Sequence, residues 1–535
     1  MGVLPLIYKN LFEVLGGLSL IIYGIKLMGE GTENVVSEKI KAIYNSISKS
    51  SFKNMLIGTI VTAILQSSSA TTVMIIALVN SYTIDIYQAA GFILGANIGT
   101  TITAQFMAIN YNFLVPLILS LGILLLLINR GKYKEYGNIL FGFSLIIFGM
   151  NIMQQGFLNL HSYFWFKSII ETLTSSTFIG ISVGVITSAL LQNSSASIGL
   201  LMALSAVSNI SITSALPMLF GSNIGSCISV LLASIGTSKA SKKAALIHLY
   251  FNIFGTMIFL IFIKPCSIFI ADLFPGSIKL QIAISHILFN LINALILLLF
   301  IPYIVKFVNL LVRGQDKYVE RSSIDDRLLE TPIIAVAQTQ KEILKMAMLV
   351  RDNVEMAFSS FYNDTQEFIE LIDEREIIIN RYEKDITLFL VKLSNSKVSK
   401  DEIEIINRFF NQVKDIERIG DFSETIASFI KEKARKKLKL SEGAKQELME
   451  MYKLVTESFN LCIEILKNKD IKKCNRIIEI EKTADLLEDH LRSSNIKRLN
   501  EGKCNAENSA LFLDMVNNLE RITDHSKNLA QVMLN

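Results

Sequence analysis

The sequence predicts an all-α protein in two parts, a polytopic membrane domain followed by a cytoplasmic helical bundle. Residues 1–310 contain 16 Lys and Arg and 8 Asp and Glu, whereas residues 311–535 contain 36 and 40. All seven prolines lie at or before Pro332, and only four of the 28 glycines follow residue 310. The first composition is typical of membrane helices and the second of long soluble helices. This division excludes a wholly soluble enzyme and a wholly membrane-embedded protein.

Seven long apolar segments of the first part are predicted to cross the membrane, because each can span a hydrocarbon layer of about 30 Å. They are residues 11–28, 87–108, 112–129, 137–155, 212–235, 243–263 and 280–303. Residues 55–80 and 178–206 are apolar overall but have polar centres, so they are predicted to be re-entrant helical hairpins that turn back within the membrane. The first apolar segment has no clear small-residue cleavage site after it and is expected to be a retained helix.

Basic loops set the predicted orientation of the membrane domain. Lys and Arg concentrate at 39–53, 130–134 and 239–243, and the positive-inside rule places these loops in the cytoplasm. The N-terminus is then outside, the first hairpin enters from inside and the second from outside. The chain is predicted to be a multi-pass protein of the cell (inner) membrane with its C-terminal domain in the cytoplasm. Its five cysteines show no paired spacing and are expected to be reduced.

The membrane part contains an internal repeat. GTIVTAILQSSSATT from Gly58 matches GVITSALLQNSSASI from Gly184, and a shift of 126 gives 18 identities in 45 ungapped positions across residues 58–102. An odd number of predicted crossings separates equivalent helices, so the repeats, about 11–129 and 137–303, are predicted to be inverted. Many secondary transporters use inverted repeats to build a midplane site that opens alternately to each side.

Each predicted hairpin has an uncharged polar tetrad at its centre, which is costly in an apolar segment unless something satisfies it. The tetrads are Gln66, Ser67, Ser68 and Ser69 in the first hairpin and Gln192, Asn193, Ser194 and Ser195 in the second. One interpretation is polar contact between packed helices. The other is a broken helix whose N–H groups and hydroxyls bind an anion, while freed carbonyls bind small cations. No Arg or Lys stands beside either tip, so a bound dianion would need co-bound cations.

A second polar break is predicted after each hairpin, at the same spacing in both repeats. Oxygen ligands suited to a hard cation come from Asn97, Thr100, Thr101, Asn223 and Ser226. The alternative is close helix packing through the glycines of these segments. Cys227 stands where the first copy has a threonine, so the second copy loses one oxygen. His248 and His286 fall within membrane helices, where they could relay protons or bond a neighbouring helix.

The doubled QSSS-type tetrads with their GANIGT-type segments resemble the bacterial type II sodium/phosphate cotransporters over residues 11–303. The resemblance implies phosphate and sodium sites between inverted repeats, formed by Gln66–Ser69, Gln192 and Ser194–Ser195. Asn193 departs from the family's usual serine but still offers an oxygen, which puts cation preference more than phosphate binding in doubt. The implied partners are inorganic phosphate, Na+ and the lipid bilayer, and a homodimer is left open.

Six amphipathic helices without proline are predicted after a linker over 311–334, to form a domain over 335–535. They are residues 333–362, 365–395, 400–436, 441–468, 470–500 and 506–533. Long helices with short connections pack as antiparallel bundles.

A second internal repeat, at a shift of 103, places two carboxylates on one face of each of two equivalent helices. The pairs are Glu417 with Asp421 and Glu520 with Asp524. They are interpreted as a solvated acidic face or as ligands for Mg²⁺, Mn²⁺ or iron. These segments resemble the PhoU family, two three-helix bundles whose E/D-x-x-x-D motifs can hold metal clusters. That resemblance loosely implies further ligands, which are Asp373, Glu376, Asp485 and His525.

The sequence therefore predicts a sodium-coupled symporter of inorganic phosphate with a fused PhoU-like regulatory domain. It contains no recognisable nucleophile–base pair or phosphate-binding glycine loop, so an enzyme is not expected. The second part has a net charge of −4 and lacks the basic face that nucleic acid requires. An alternative hypothesis is a membrane phosphate-status sensor that signals through the bundle with little net transport. A further one keeps transport but changes the anion to arsenate or sulfate.

Overall fold

The computed structural model describes residues 3–36, 40, 46–128, 130–314, 324–396, 398, 400–468, 470 and 472–534. Within these residues all regular secondary structure is helical, with nineteen α-helices and one 3₁₀ helix. The all-α prediction is confirmed. The chain divides into two compact units, Met1–Lys317 and Tyr318–Asn535. The predicted linker bounds stay a prediction, and the basic residues Lys39 and Lys41 lie outside the described residues.

The first unit contains thirteen of the described helices. They are α1 Val3–Val35, α2 Ser51–Leu65, α3 Ser68–Asn80, α4 Ile86–Ala108, α5 Val115–Ile128, α6 Gly131–Leu160, α7 Phe164–Thr174, α8 Thr177–Leu191, α9 Ser194–Ser208, α10 Ile212–Ala233, α11 Lys239–Ile261, α12 Ile263–Leu273 and α13 Ile278–Leu311. One hydrophobic core draws side chains from α1, α4, α6, α9, α10 and α13.

Five described helices, α1, α6, α10, α11 and α13, are long and apolar enough to cross a membrane. A sixth span is present if α7 and α8, bent by 107° at a short break, count as one. Large apolar side chains such as Phe113 and Phe164 are exposed on this unit, as lipid-facing residues are. Two predicted crossings do not meet the same test. α5 has only 14 residues, about 21 Å of helix, and α4 carries the polar segment around Asn97.

Both predicted hairpin breaks are present. α2 ends at Leu65 and α3 begins at Ser68, while α8 ends at Leu191 and α9 begins at Ser194. The second pair of predicted breaks is absent, because α4 runs unbroken through Asn97–Thr101 and α10 through Asn223–Cys227. In each repeat the first hairpin arm packs against the helix that carries this second polar segment, α2 on α4 and α8 on α10. The glycines of those segments allow this approach, since a Cβ on Gly95 would lie 2.0 Å from the Met55 carbonyl oxygen. Glycine packing therefore accompanies the polar residues rather than replacing them.

α1 and α6, which are equivalent in the repeat, cross in close contact through glycines. A Cβ on Gly17 would lie 2.5 Å from the Gly149 carbonyl oxygen, and one on Gly24 would lie 2.6 Å from that of Gly142. In the internal repeat, at a shift of 125, Gly17 is equivalent to Gly142 and Gly24 to Gly149. The repeat therefore relates the Gly17–Gly149 contact to the Gly24–Gly142 contact. The two helices therefore run antiparallel about a local two-fold axis perpendicular to their length.

The second unit contains the remaining six α-helices of the described chain. They are α14 Pro332–Tyr362, α15 Ile369–Ser394, α16 Lys400–Lys436, α17 Glu442–Asn468, α18 Lys472–Asn500 and α19 Ala506–Leu534. The first three pack on one another, as do the last three, and α16 contacts α19 across the two bundles. The stacked rings of Phe358 and Tyr452, 3.7 Å apart, join α14 to α17. Two three-helix bundles are thus confirmed.

Candidate functional site

Gln66 and Gln192 end the first arm of each hairpin in the same backbone conformation. Their φ angles are 56° and 51°, in the left-handed region that few residues other than glycine adopt. This conformation stops α2 and α8 and turns the chain directly into α3 and α9. The polar tetrads thus lie at helix starts, where unpaired backbone N–H groups carry a partial positive charge.

The second residue of each tetrad caps the helix that follows it. Ser67 Oγ accepts a hydrogen bond from the Ala70 N–H at 3.2 Å, and Asn193 Oδ1 accepts one from the Ala196 N–H at 3.0 Å. Serine and asparagine are equally good N-cap residues. The departure from QSSS at Asn193 therefore preserves the local structure. The hydroxyls of Ser68, Ser69, Ser194 and Ser195 follow at the helix start.

The two tips differ in their surroundings. Gln66 is only 5% exposed, and its Oε1 accepts a hydrogen bond from Thr103 Oγ1 at 2.6 Å. Its Nε2 donates to the Ala63 carbonyl oxygen. The Gln192 side chain is exposed and has no hydrogen bond within the described residues. The first tip is therefore closed and the second is open.

The first tip contacts the other repeat directly. The Ser229 hydroxyl on α10 donates to the Ser69 hydroxyl on α3 at 3.1 Å. α3 also packs on α10, and α9 packs on α4, so each second hairpin arm lies against the opposite repeat. Thr103 and Ser229 occupy equivalent positions in the two repeats, but sequence comparison over 58–102 ended one residue before them. Extending it by one position would have found both.

The hydroxyls of the second polar segments donate to backbone carbonyls, which leaves oxygen lone pairs available to a cation. Thr100 bonds the Ala96 carbonyl at 2.9 Å, Thr101 that of Ile98 at 2.7 Å, and Ser226 that of Asn223 at 2.8 Å. Both asparagines of these segments bond a buried histidine. Asn97 contacts His248 on α11, and Asn223 contacts His286 on α13.

In the second unit, Glu376 forms a first acidic cluster with Glu417, Asp421 and Glu424. Glu376 is 3% exposed, and neither of its carboxylate oxygens has a hydrogen-bond partner among the described residues. Burial, together with the carboxylates of Asp421, Glu424 and Glu417, raises the pKa of Glu376 to about 8. Burial and Asp421 also raise the pKa of Glu417.

A second acidic cluster is formed by Glu520, Asp524 and Asp485. Burial and neighbouring carboxylates, including Asp485 and Asp524, raise the pKa of Glu520 to about 7. Lys527 lies in this cluster, paired with the buried Glu481 and 3.7 Å from Asp524. The equivalent position in the first cluster is Glu424, and the cation of that cluster is Arg418, whose guanidinium lies 3.3 Å from Asp421.

Two of the looser ligand predictions have other partners. Asp373 pairs with Lys431 at 2.9 Å, and His525 Nδ1 lies 3.0 Å from Asp415. Within the described residues, no three His, Cys, Asp or Glu side chains converge closely enough to hold a metal ion. A metal on Glu417, Asp421, Glu520 and Asp524 therefore stays a prediction.

Comparisons with known proteins match each unit to a different family. Residues 20–155 and 145–271 each match the Na+/Pi-cotransporter family, and residues 343–430 and 448–533 each match the PhoU domain. The doubled matches follow the two internal repeats.

Individual relatives extend over different parts of the chain. "Putative inorganic phosphate export protein YjbB" of Salmonella typhimurium is 21% identical over 522 residues, which cover 96% of this chain and 95% of that protein. "Uncharacterized protein YqeW" of Bacillus subtilis is 28% identical over 252 residues, 47% of this chain and 82% of that protein. The PhoU structure from Streptococcus pneumoniae covers 38% of this chain and 95% of its own, with 19% identity and a TM-score of 0.35.

Proposed function

We propose that this chain, which belongs to the Na+/Pi-cotransporter family through residues 20–271 and contains PhoU domains over 343–533, is a sodium-coupled symporter of inorganic phosphate. The single observation that carries the proposal is the duplicated hairpin tip. In each copy a glutamine in the left-handed backbone conformation is followed by the capped start of a helix. Gln66–Ser69 and Gln192–Ser195 supply the two halves of the phosphate site.

The tips suit hydrogen phosphate in particular. Helix N–H groups and serine hydroxyls donate to its oxygens, and the helix dipole favours its charge. The Gln192 side chain is free to offer an acceptor oxygen to the phosphate proton. Sulfate has no such proton at neutral pH and should compete poorly.

Sodium supplies the charge that the tips lack. A dianion in a site without Arg or Lys leaves an uncompensated charge in a low-dielectric medium, so co-bound cations are required. The oxygens of Asn97, Thr100, Thr101, Asn223 and Ser226 are candidate sodium ligands. Because Cys227 replaces a threonine, we expect the second-repeat cation site to be weaker.

Alternating access rests on inverted repeats. The antiparallel contact of Gly17 with Gly149 and of Gly24 with Gly142 supports a two-fold axis in the membrane plane. Gln66 is buried whereas Gln192 is exposed, which fits a transporter that is open on one side of the membrane. With the basic loops at 130–134 and 239–243 inside, the PhoU bundle is cytoplasmic and regulates flux.

Flux direction follows the gradients. A symporter is reversible, so the site that takes up phosphate with a sodium gradient can release it when the phosphate gradient outweighs that of sodium. Phosphate export is the activity in the printed name of YjbB, the relative from Salmonella typhimurium.

The test measures the flux of labelled phosphate across the membrane of proteoliposomes that contain the full-length protein. Sodium gradients are imposed in each direction. We expect saturable accumulation that follows the sodium gradient and is lost in Gln66→Ala and Gln192→Ala. Flux that is unchanged by both substitutions would overturn the assignment of the phosphate site. Tight phosphate binding without sodium-driven flux would replace symport by the sensor hypothesis, and strong sulfate competition would contradict the choice of anion.

A further inference from the structure

α11 and α13 contain the same five-residue pattern, which lies outside the aligned repeat segments 58–102 and 184–228. HLYFN begins at His248 and HILFN at His286, a shift of 38. In both helices the asparagine Nδ2 donates back to the histidine carbonyl oxygen, at 3.0 Å from Asn252 and 2.9 Å from Asn290. The pattern therefore has one local structure in two helices.

The two histidines also make the same contact with the two repeats. His248 Nε2 lies 3.1 Å from Asn97 Oδ1 on α4, and His286 Nε2 lies 3.3 Å from Asn223 Oδ1 on α10. Asn97 and Asn223 are repeat equivalents at a shift of 126. Each second polar segment thus receives one histidine from a helix outside the aligned segments.

The chemistry of this contact identifies the donor. A carboxamide oxygen only accepts, so each ring donates through Nε2–H. Both rings are at most 1% exposed, and neither His248 nor His286 has a partner for Nδ1 among the described residues. Each histidine is therefore an Nε2–H donor to its asparagine.

The histidine donor fixes which way the asparagine carboxamide faces. Without it, the amide can turn by half a rotation and exchange its oxygen for its N–H₂ group. The oxygen keeps a second lone pair for a cation, whereas the N–H₂ group would repel one.

The two contacts differ beyond the histidines. Asn97 Nδ2 points at Asn252 Oδ1, 3.5 Å away, while Asn223 Nδ2 and Asn290 Oδ1 are both buried without a partner in the described part of the chain. The Asn97 carboxamide, which has a partner at both its oxygen and its nitrogen, belongs to the repeat whose tip, at Gln66, is buried. The Asn223 carboxamide, which is bonded only by its histidine, belongs to the repeat whose tip, at Gln192, is exposed.

We propose that His248 and His286 are a matched pair of positioning residues, whose Nε2–H groups hold the Asn97 and Asn223 carboxamides with their oxygens oriented for Na+. This proposal rests on the sodium-coupled transport proposed above. It predicts that the histidines control sodium affinity while phosphate still binds at the hairpin tips.

The experiment measures phosphate flux against sodium concentration, with full-length wild type, His248→Leu and His248→Gln in proteoliposomes. Leucine fills the site but cannot donate, whereas the glutamine amide can donate from a similar position. We expect the sodium concentration for half-maximal flux to rise about tenfold in His248→Leu, the factor expected for one lost hydrogen bond to a polar partner, and to recover in His248→Gln. The half-saturating phosphate concentration, measured at saturating sodium, should stay near that of wild type.

A double substitution tests whether the histidine acts through Asn97. His248→Leu combined with Asn97→Ala should be no worse than Asn97→Ala alone, because the pair shares one contact. His161→Leu, in a histidine that bonds neither asparagine, is the control within the membrane unit. If His248→Leu does not fold, His248→Asn replaces it, since its amide is too short to reach Asn97.

Two results overturn the proposal and remain distinguishable. Absence of sodium-dependent flux in wild type removes the proposed function, and the positioning role with it. Intact wild-type flux with equal sodium dependence in His248→Leu and His248→Gln removes the positioning role alone. The same comparison with His286 and Asn223 should give the larger effect, because that carboxamide has no second partner.

Discussion

Gln66 and Gln192 share one backbone conformation at two equivalent hairpin tips, yet one is buried and bonded and the other is exposed. Their φ angles differ by only a few degrees, 56° against 51°. Gln66 is 5% exposed and bonded to Thr103, whereas Gln192 has no side-chain hydrogen bond within the described residues. The tip geometry is therefore built into each repeat, and the difference lies in what surrounds it.

Thr103→Val should weaken phosphate binding. The substitution keeps the shape of the side chain but removes the hydroxyl that bonds Gln66 Oε1 at 2.6 Å. We expect the half-saturating phosphate concentration to rise about fivefold, as for the loss of a neutral hydrogen bond of about 1 kcal/mol. Flux against phosphate concentration measures it. Thr72→Val is the control, because the buried Thr72 hydroxyl has no partner in the described structure, and an equal effect there would contradict the prediction.

Gly17→Ala should destabilise the membrane unit. Its Cβ would lie 2.5 Å from the Gly149 carbonyl oxygen, so α1 and α6 would have to separate. Overpacking of this kind costs about 1–3 kcal/mol. Gly16→Ala is matched in helix and chemistry, but nothing lies within 4 Å of its Cβ, so it should be neutral or slightly stabilising. Thermal unfolding of the purified full-length protein distinguishes the two, and equal midpoints would refute the close crossing.

The helices and hairpin breaks were predictable because they depend on local sequence. Hydrophobic periodicity in the second unit predicted a helix over 400–436, and the structure has Lys400–Lys436. The polar tetrads predicted breaks that the structure places at Gln66 and Gln192. In both cases the signal lies within one segment of the chain.

Contacts between distant segments were harder to predict. The pattern shared by His248 and His286 is visible in the sequence, but its asparagine partners lie on other helices. Glycines seven residues apart, such as Gly17 and Gly24, indicate a close crossing without naming the partner helix. The different exposure of Gln66 and Gln192 could not be predicted, since their local sequences are nearly the same and only tertiary packing separates them.

Asn193→Ser should preserve function, whereas Asn193→Ala should impair it. Asn193 Oδ1 caps α9 by accepting the Ala196 N–H at 3.0 Å, the bond that Ser67 makes in the first repeat. Loss of an N-cap costs about 1 kcal/mol, so the alanine variant should expose the Ala196 amide to faster hydrogen exchange and raise the half-saturating phosphate concentration. If serine were as harmful as alanine, the asparagine would have a role beyond the cap.

Glu376→Gln should stabilise the second unit at high pH. The pKa of Glu376 is raised to about 8 from an ordinary value of 4.5, so the folded state holds this proton more tightly than the unfolded state does. The unfolding free energy should therefore fall as pH rises from about 4.5 to about 8 and then level off. Glutamine is neutral throughout, so the variant should match wild type near pH 4 and exceed it at pH 9.

Glu481→Gln provides the contrast, because Glu481 is a buried acid of the second bundle that already pairs with Lys527. Removing that carboxylate leaves the lysine without its closest partner and should destabilise α18 and α19 at pH 9, the reverse of Glu376→Gln. Hydrogen exchange of the full-length protein, corrected for intrinsic rates, measures both variants. The measurement is made in a chelator, since a cation bound at the first acidic cluster would lower the pKa of Glu376. Equal pH dependence in wild type and Glu376→Gln would show that this carboxyl is not buried as a neutral acid.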